Sequence, residues 1–201
     1  MSKEIFKQAY EKPRAPWTKT EPPQELVKLI EKRKIRPCKT IDIGCGEGFY
    51  SIYLASKGFD VTGIDISKRA IQYAKENAVS RGVNVHFVTM DIADLEQLNE
   101  KFDFVLEWGL MHQIMPSQRR KYVEDVVGLL NKDGKYLSVC FNEQSPEFGG
   151  PGKYRESPSR MRLYFASQNE LRELFEPRFH IIEAKIIQVP HIENYFLMEK
   201  L

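Results

Sequence analysis

The chain has 201 residues, 42% of them apolar and 29% charged, values of a folded protein with a sizeable core rather than of a disordered chain. Lysine and arginine total 30 against 28 acidic residues, so the net charge of +2 gives no ground for a nucleic-acid or anionic-membrane binder. The opening MSKEIFKQAY lacks the apolar core of a secretion signal, and no apolar run is long enough to span a membrane. Cys38, Cys45 and Cys140 are odd in number and show no metal-ligand spacing. These features predict a soluble, reduced, cytoplasmic protein with no metal and no disulfide framework, folded as a single domain over 1–201.

In chain order, a proline-rich arm containing Trp17 precedes a helix over Pro22–Lys34, so residues 1–38 form an arm and a helix ahead of the first strand. KTIDIG (39–44) reads as a buried strand and Glu47–Ser56 as the helix after it. DVTGID (60–65) is a second strand. The following helix has Ser67 as N-cap, Ala70, Ile71, Ala74 and Ala78 on one face, and Gly82 at its end. VHFVTMD (85–91) is a third strand, Ile92–Leu98 a short helix and FDFVLEW (102–108) a fourth strand. Ser117 is the expected cap of a helix that presents Val123, Val126, Val127 and Leu130, and KDGKYLSVCF gives a turn and a fifth strand. The basic clusters Lys32–Arg33–Lys34 and Arg119–Arg120–Lys121 read as solvated helix ends.

The pattern then changes. Residues 143–160 hold Pro146, Pro151 and Pro158, three glycines and several charges, which read as a long loop; with its flank to 165 it is the expected lid segment. SQNELRELF is a helix, and FHIIEAKIIQV and IENYFLMEKL are strands joined tightly through Pro190, an antiparallel hairpin. Strands alternating with helices predict a mostly parallel sheet with both faces covered.

TIDIGCGEGFY (40–50) carries the most chemical information. A strand ending in a glycine-rich turn brings backbone close to a ligand. A dinucleotide fingerprint needs a sixth-position glycine, where this chain has Phe49, and no phosphate-loop glycine–lysine–serine follows. Acidic residues end the next three strands: Asp65, suited to accept from ribose hydroxyls, Asp91, suited to accept from an adenine amino group, and Glu107. All three should converge on the carboxyl edge of the sheet, where open α/β folds bind ligands.

On these residues the chain resembles the class I S-adenosylmethionine-dependent methyltransferases. TIDIGCGEG, GIDIS, VTMDIADL, FDFVLEWGLMH and LLNKDGKYL follow in that family's order, and the closing strand hairpin completes the match. The resemblance implies a Rossmann-like three-layer sandwich around a seven-stranded, mostly parallel sheet with the last strand antiparallel. It implies S-adenosylmethionine as cofactor, with the methionine part against Gly44, Cys45 and Gly46, and with Gly48 of the same turn among the cofactor-binding residues. The ribose falls on Asp65, the adenine beside Ile66, Asp91 and Ile92, Asp42 beneath the cofactor, and Glu107 at the same edge. It further implies methyl transfer by direct in-line displacement.

Three features bear on the methyl acceptor. Trp17 in its arm resembles, more loosely, the arm of the thiopurine and related small-thiol methyltransferases, where an aromatic residue closes over the cofactor; a surface anchor is the other reading. His112 in EWGLMHQI is either the base that deprotonates the acceptor or a structural residue of the next helix, and Trp108 beside it a pocket wall or core. In the lid, Tyr154, Arg155, Arg160 and Arg162 either contact an anionic or aromatic substrate or are solvated. The expected partner is a small enclosed acceptor, a thiol or another soft nucleophile. RNA or protein methylation and a non-catalytic cofactor-binding scaffold are the alternatives.

Overall fold

The computed structural model describes residues 3–11, 14–149, 152–188 and 190–201; Gly150 and Pro151 of the expected lid lie outside them. The elements in chain order are α1 (Lys3–Ala9), α2 (Gln24–Glu31), β1 (Lys39–Ile43), α3 (Phe49–Ser56), β2 (Asp60–Asp65), α4 (Lys68–Ser80) and β3 (His86–Thr89). A 3-10 turn (Ile92–Gln97), β4 (Phe102–Trp108), a second 3-10 turn (Met111–Gln113), α5 (Pro116–Leu129), β5 (Leu130–Phe141), β6 (Tyr154–Glu156), β7 (Arg162–Tyr164), α6 (Gln168–Phe175), β8 (Phe179–Gln188) and β9 (Ile192–Lys200) follow.

Seven strands form one Rossmann-like sheet in the order β3-β2-β1-β4-β5-β9-β8, with helices flanking it. The pairs β1–β2, β2–β3 and β4–β5 are parallel, and the last strand, β9, runs antiparallel to both its neighbours. By its internal contacts the chain divides into an N-terminal unit, Ser2–Asp94, and a C-terminal unit, Leu95–Leu201. No helix among the described residues is long and apolar enough to cross a membrane.

In the N-terminal unit, α2 buries Leu26, Leu29 and Ile30, the one-sided spacing of an amphipathic helix. The Ser67 side chain accepts from Ala70 N and caps α4, whose Ile71, Ala74 and Ala78 pack with Ile52 and Phe87. In the C-terminal unit, Phe175 of α6, Phe179 of β8 and Tyr136 of β5 meet at ring separations of 5.6–6.5 Å, and Phe175 also meets Phe196 of β9. Ser167 and Glu170 close a reciprocal capping box at the start of α6.

Several expectations need correction. The helix expected from Glu47 begins at Phe49, because Gly48 holds a left-handed φ of 79° that ends the turn outside the helix. Ser117 is not a cap: Met115 takes that place and Pro116 opens α5, its missing N–H costing nothing in the first turn. Leu130 starts β5 rather than completing the face of α5, which buries Tyr122, Val123, Val126 and Leu129. The expected loop contains the β6–β7 hairpin, Tyr154 pairing with Tyr164. Arg119 is 4% exposed rather than solvated; its guanidinium donates to the carbonyls of Ile114, Met111 and Tyr164.

Candidate active site

The glycine turn that ends β1 is fastened to the end of β2. Gly44 N and Cys45 N both donate to the Ile64 carbonyl at 2.8 and 2.9 Å. Asp65, the last residue of β2, receives Gly46 N at 3.1 Å on Oδ2 and Ser67 N at 2.8 Å on Oδ1. An ionised carboxylate has about four acceptor positions, so one backbone donor on each oxygen leaves room for hydroxyl donors. Burial pushes the Asp65 pKa up to about 6, against the lowering effect of the Ser67 and Gly46 amides. Ile66 next to it is half-buried.

Asp42 lies beneath the turn, 3% exposed, and accepts from Ser51 Oγ at 2.6 Å. Burial, with the charges of Asp42 and Asp65 added, raises the Cys45 thiol well above its ordinary range, so it stays protonated and is a poor nucleophile. Asp91 and Ile92 are half-buried; Asp91 Oδ1 accepts from Ala93 N at 3.0 Å and starts the 3-10 turn.

Over this turn lies the N-terminal arm, with two residues the sequence did not single out. The Tyr10 hydroxyl sits so close to Gly46 that a Cβ there would meet it at 2.9 Å. Trp17 Nε1 donates to that hydroxyl at 2.8 Å, and the two rings meet edge to face at 5.8 Å. Trp17 is thus joined to the glycine turn through Tyr10. Glu47, inside GCGEG, anchors the arm: its Oε1 accepts from Arg14 N at 2.7 Å, Ala15 N at 3.1 Å and Thr18 Oγ1 at 2.8 Å. The signal for Tyr10 was an aromatic residue ending an amphipathic stretch (Ile5, Ala9), too short to weigh without its tertiary partner.

At the carboxyl end of β4 and β5, the C-terminal unit gathers a second set of residues. Glu107 is fully buried and both its oxygens are engaged: Leu110 N and Met111 N on Oε1 at 2.8 Å, Ser138 Oγ and Tyr136 OH on Oε2 at 2.7 and 3.2 Å. That arrangement shapes the turn after β4. His112 is 7% exposed, stacks on Phe141 at 4.3 Å, and accepts on Nδ1 from Phe141 N at 3.4 Å. Burial, with the charge of Arg119 next in weight, pushes its pKa down to about 3, so it is neutral and weakly basic.

Phe141 is the hub of an aromatic cluster. It stacks on Phe165 at 4.8 Å and meets Phe148 and His191 edge to face at 6.0 and 5.2 Å. Arg155 does not project outward: its guanidinium lies 4.1 Å over the Phe165 ring and donates to the carbonyls of Glu143, Ser145 and Glu147. It organises the 143–149 segment. His191 Nδ1 lies 2.8 Å from Glu147 Oε1 and joins that segment to the turn before β9. Tyr154, 62% exposed, and Arg162 line an open groove of about 610 Å³ with Met115, Pro116 and Ser117. Arg160 has a left-handed φ of 62° at the tip of the hairpin, and Trp108 is half-buried at the end of β4.

The described residues hold no cluster of His, Cys, Asp and Glu suited to a metal ion, and Cys38, Cys45 and Cys140 form no disulfide. The methyltransferase domain family matches residues 41–134, from the first strand through the turn into the fifth. The 2-heptyl-1-hydroxyquinolin-4(1H)-one methyltransferase of Mycobacteroides abscessus is 31% identical over 150 residues, 73% of this chain and 66% of that enzyme, just under two thirds of its length. An uncharacterized methyltransferase of Schizosaccharomyces pombe is 30% identical over 147 residues, 73% of this chain and 97% of that protein. Among solved structures, the 1,6-didemethyltoxoflavin-N1-methyltransferase of Burkholderia thailandensis, with S-adenosylhomocysteine bound, superposes with a TM-score of 0.81 at 24% identity, covering 98% of this chain and 86% of that one. The glycine turn with its half-buried carboxylate, the sheet order and these relatives agree: the chain belongs to the class I methyltransferases and is an enzyme that uses S-adenosylmethionine.

Proposed function

We propose that the chain, as one catalytic domain over 1–201, moves the methyl group of S-adenosylmethionine to a small, flat acceptor bearing an acidic O–H, N–H or S–H group. The observation that carries this reading is the Asp65 carboxylate, fixed at the glycine turn with acceptor positions to spare. Those positions suit two ribose hydroxyls, and ionisation of a carboxyl that burial has pushed up to about 6 is completed by such donors. Gly44, Cys45, Gly46 and Gly48 give the methionine part a surface of backbone, Asp42 lies beneath it, and Ile66, Asp91 and Ile92 flank the adenine. When bound, the cofactor supplies a methyl group on a cationic sulfur, already electrophilic.

The protein's task is then alignment and exclusion of water, and orientation alone supplies on the order of 7–11 kcal/mol in favourable systems. Tyr10 and Trp17 close the arm over the turn and keep water from it. The Tyr10 hydroxyl, which accepts from Trp17, still has its own proton to donate. In the C-terminal unit, Phe148, 38% exposed, offers a ring for a flat acceptor beside the buried stack of His112, Phe141 and Phe165, with Trp108 as a wall; Tyr154 stands on the separate groove with Arg162. His112, with its pKa near 3, does not serve as the base. A small acceptor is favoured over RNA or protein by the segment after β5, pinned by Arg155 onto the same aromatic cluster. The hydroxyquinolone named for the Mycobacteroides relative is a flat acceptor of this kind.

The test is transfer of a labelled methyl group to a panel containing 2-heptyl-1-hydroxyquinolin-4(1H)-one, an aromatic thiol and the matching phenol, beside total RNA and cell protein. Label on the small acceptors is expected. Label confined to RNA or protein overturns the acceptor class, and binding of cofactor without transfer to any of them favours the scaffold reading.

A further inference from the structure

The sheet ends at β8, and β8 has an open side. Its inner edge pairs with β9, while among the described residues no strand pairs with its outer edge. An edge strand presents a row of backbone N–H and C=O groups that another chain can extend, and native folds blunt such edges by keeping them short or by placing charges on them. At the opposite end of the sheet β3 is short, four residues, but β8 has ten. It also carries apolar side chains into solvent, Ile182 being 43% exposed and Ile186 45%. Its lysine does not screen the edge: Lys185 Nζ bonds to Glu183 at 2.9 Å and lies 4.6 Å over the Tyr195 ring, drawn inward onto β9. The register with β9 shifts once, between Ile181 and Glu183, and from Glu183 to Gln188 it is regular.

The sequence of this edge is a palindrome. Residues 181–187 read Ile-Ile-Glu-Ala-Lys-Ile-Ile, symmetrical about Ala184 except that an acid on one side answers a base on the other. Contact between identical chains about a two-fold axis brings residue i of one against residue j of the other, and j against i. Antiparallel pairing of two β8 edges centred on Ala184 therefore sets Glu183 opposite the partner's Lys185, and Lys185 opposite the partner's Glu183. Ile182 meets the partner's Ile186, Ile181 the partner's Ile187, and the exposed His180 the partner's Gln188. Directly opposed residues share a face of the sheet with Cβ atoms about 4.5–5.5 Å apart, within reach for both charge pairs and both kinds of isoleucine pair. The register is specific. Centring the pair on Glu183 or on Lys185 puts like charges opposite each other, and a slip of one residue sets each charge against alanine or isoleucine. A strand from an unrelated protein has no need of this symmetry, and a second copy of the chain does.

We propose that β8 is a dimer interface, at which two copies of this chain join edge to edge and continue the sheet across a two-fold axis through Ala184. Main-chain hydrogen bonds supply the attraction common to strand addition, the isoleucine pairs cover apolar surface, and the Glu183 and Lys185 charges fix the register. The surface lies wholly within the C-terminal unit and uses none of the residues assigned to the cofactor.

Sedimentation equilibrium of the full chain from about 1 to 100 μM, a span that reaches weak association, tests the proposal. The wild type should approach twice the 23.5 kDa of one chain at the upper end. Glu183→Lys and Lys185→Glu each place like charges opposite at both points of contact, so each alone should raise the dimer dissociation constant at least about tenfold. An equimolar mixture of the two restores opposite charges at both points and should dimerise as the wild type does. Circular dichroism matching the wild type confirms that each variant is folded. A wild type that stays monomeric throughout overturns the proposal and leaves the edge to a strand of another protein. A dimer that neither variant weakens overturns it too, placing the contact elsewhere, and so does a mixture of folded variants that remains monomeric. Hydrogen exchange of the wild type needs no variant: protection of the β8 amides that rises with protein concentration supports the interface, and protection independent of concentration in a sample that dimerises overturns it.

Discussion

Asp65 is the residue at which two requirements conflict. Binding hydroxyls needs an ionised carboxylate, while burial favours the protonated form and sets its pKa at about 6. The sign follows from the two values. The unfolded carboxyl ionises near 3.8, so between 3.8 and 6 the folded protein holds the extra proton and this group's contribution to stability falls as pH rises. Cofactor binding runs the other way: affinity for S-adenosylhomocysteine should be level above pH 7 and weaken as pH falls below about 6, approaching tenfold per pH unit. Calorimetric titrations at pH 5, 6 and 7.5 measure this, and a pH-independent affinity over that range would contradict it. Asp65 was legible in the sequence because a strand end and a neighbouring glycine turn are local features. Tyr10 was not, since its importance comes from a contact with Gly46 that only the folded arm creates. Arg119 was misread for the same reason, its charge being satisfied by carbonyls from three separate places.

Among the elements, the strands were read most accurately. β2 and β4 span the residues their apolar patterns marked, because buried strands are continuous apolar runs bounded by turns. Helix ends were less legible where a glycine or proline set them, as Gly48 and Pro116 do. The β6–β7 hairpin was hidden by its shortness and its charges, three residues a strand with alternate positions exposed. The arm is the element whose behaviour can be tested separately. Glu47 alone accepts two of its backbone amides and the Thr18 hydroxyl. Charge-assisted bonds of this kind contribute about 1.5–3 kcal/mol each when buried, less where solvent reaches them. Glu47→Ala should therefore free the arm, making the peptide around Arg14 susceptible to trypsin at a rate at least about tenfold above wild type, with circular dichroism unchanged. Equal cleavage rates would show that Tyr10 and Trp17 hold the arm without this anchor.

For the molecule as a whole, the sheet order and the antiparallel last strand define the fold; the family resemblance implied the antiparallel last strand, and the strand order was not legible in the sequence. The aromatic cluster of the C-terminal unit was less legible. It draws Phe141, Phe148, Phe165, His112 and His191 from distant stretches with no common motif. The central claim is that the Asp65 carboxylate at the glycine turn holds the adenosyl cofactor, and calorimetric titration of wild type and Asp65→Ala with S-adenosylhomocysteine tests it most directly. The wild type should bind with a micromolar Kd, and the variant should lose about 1–3 kcal/mol, the cost of charge-assisted hydrogen bonds to ribose. Equal affinity in the two proteins would contradict the assignment, and no binding by the wild type would contradict the account of the site altogether.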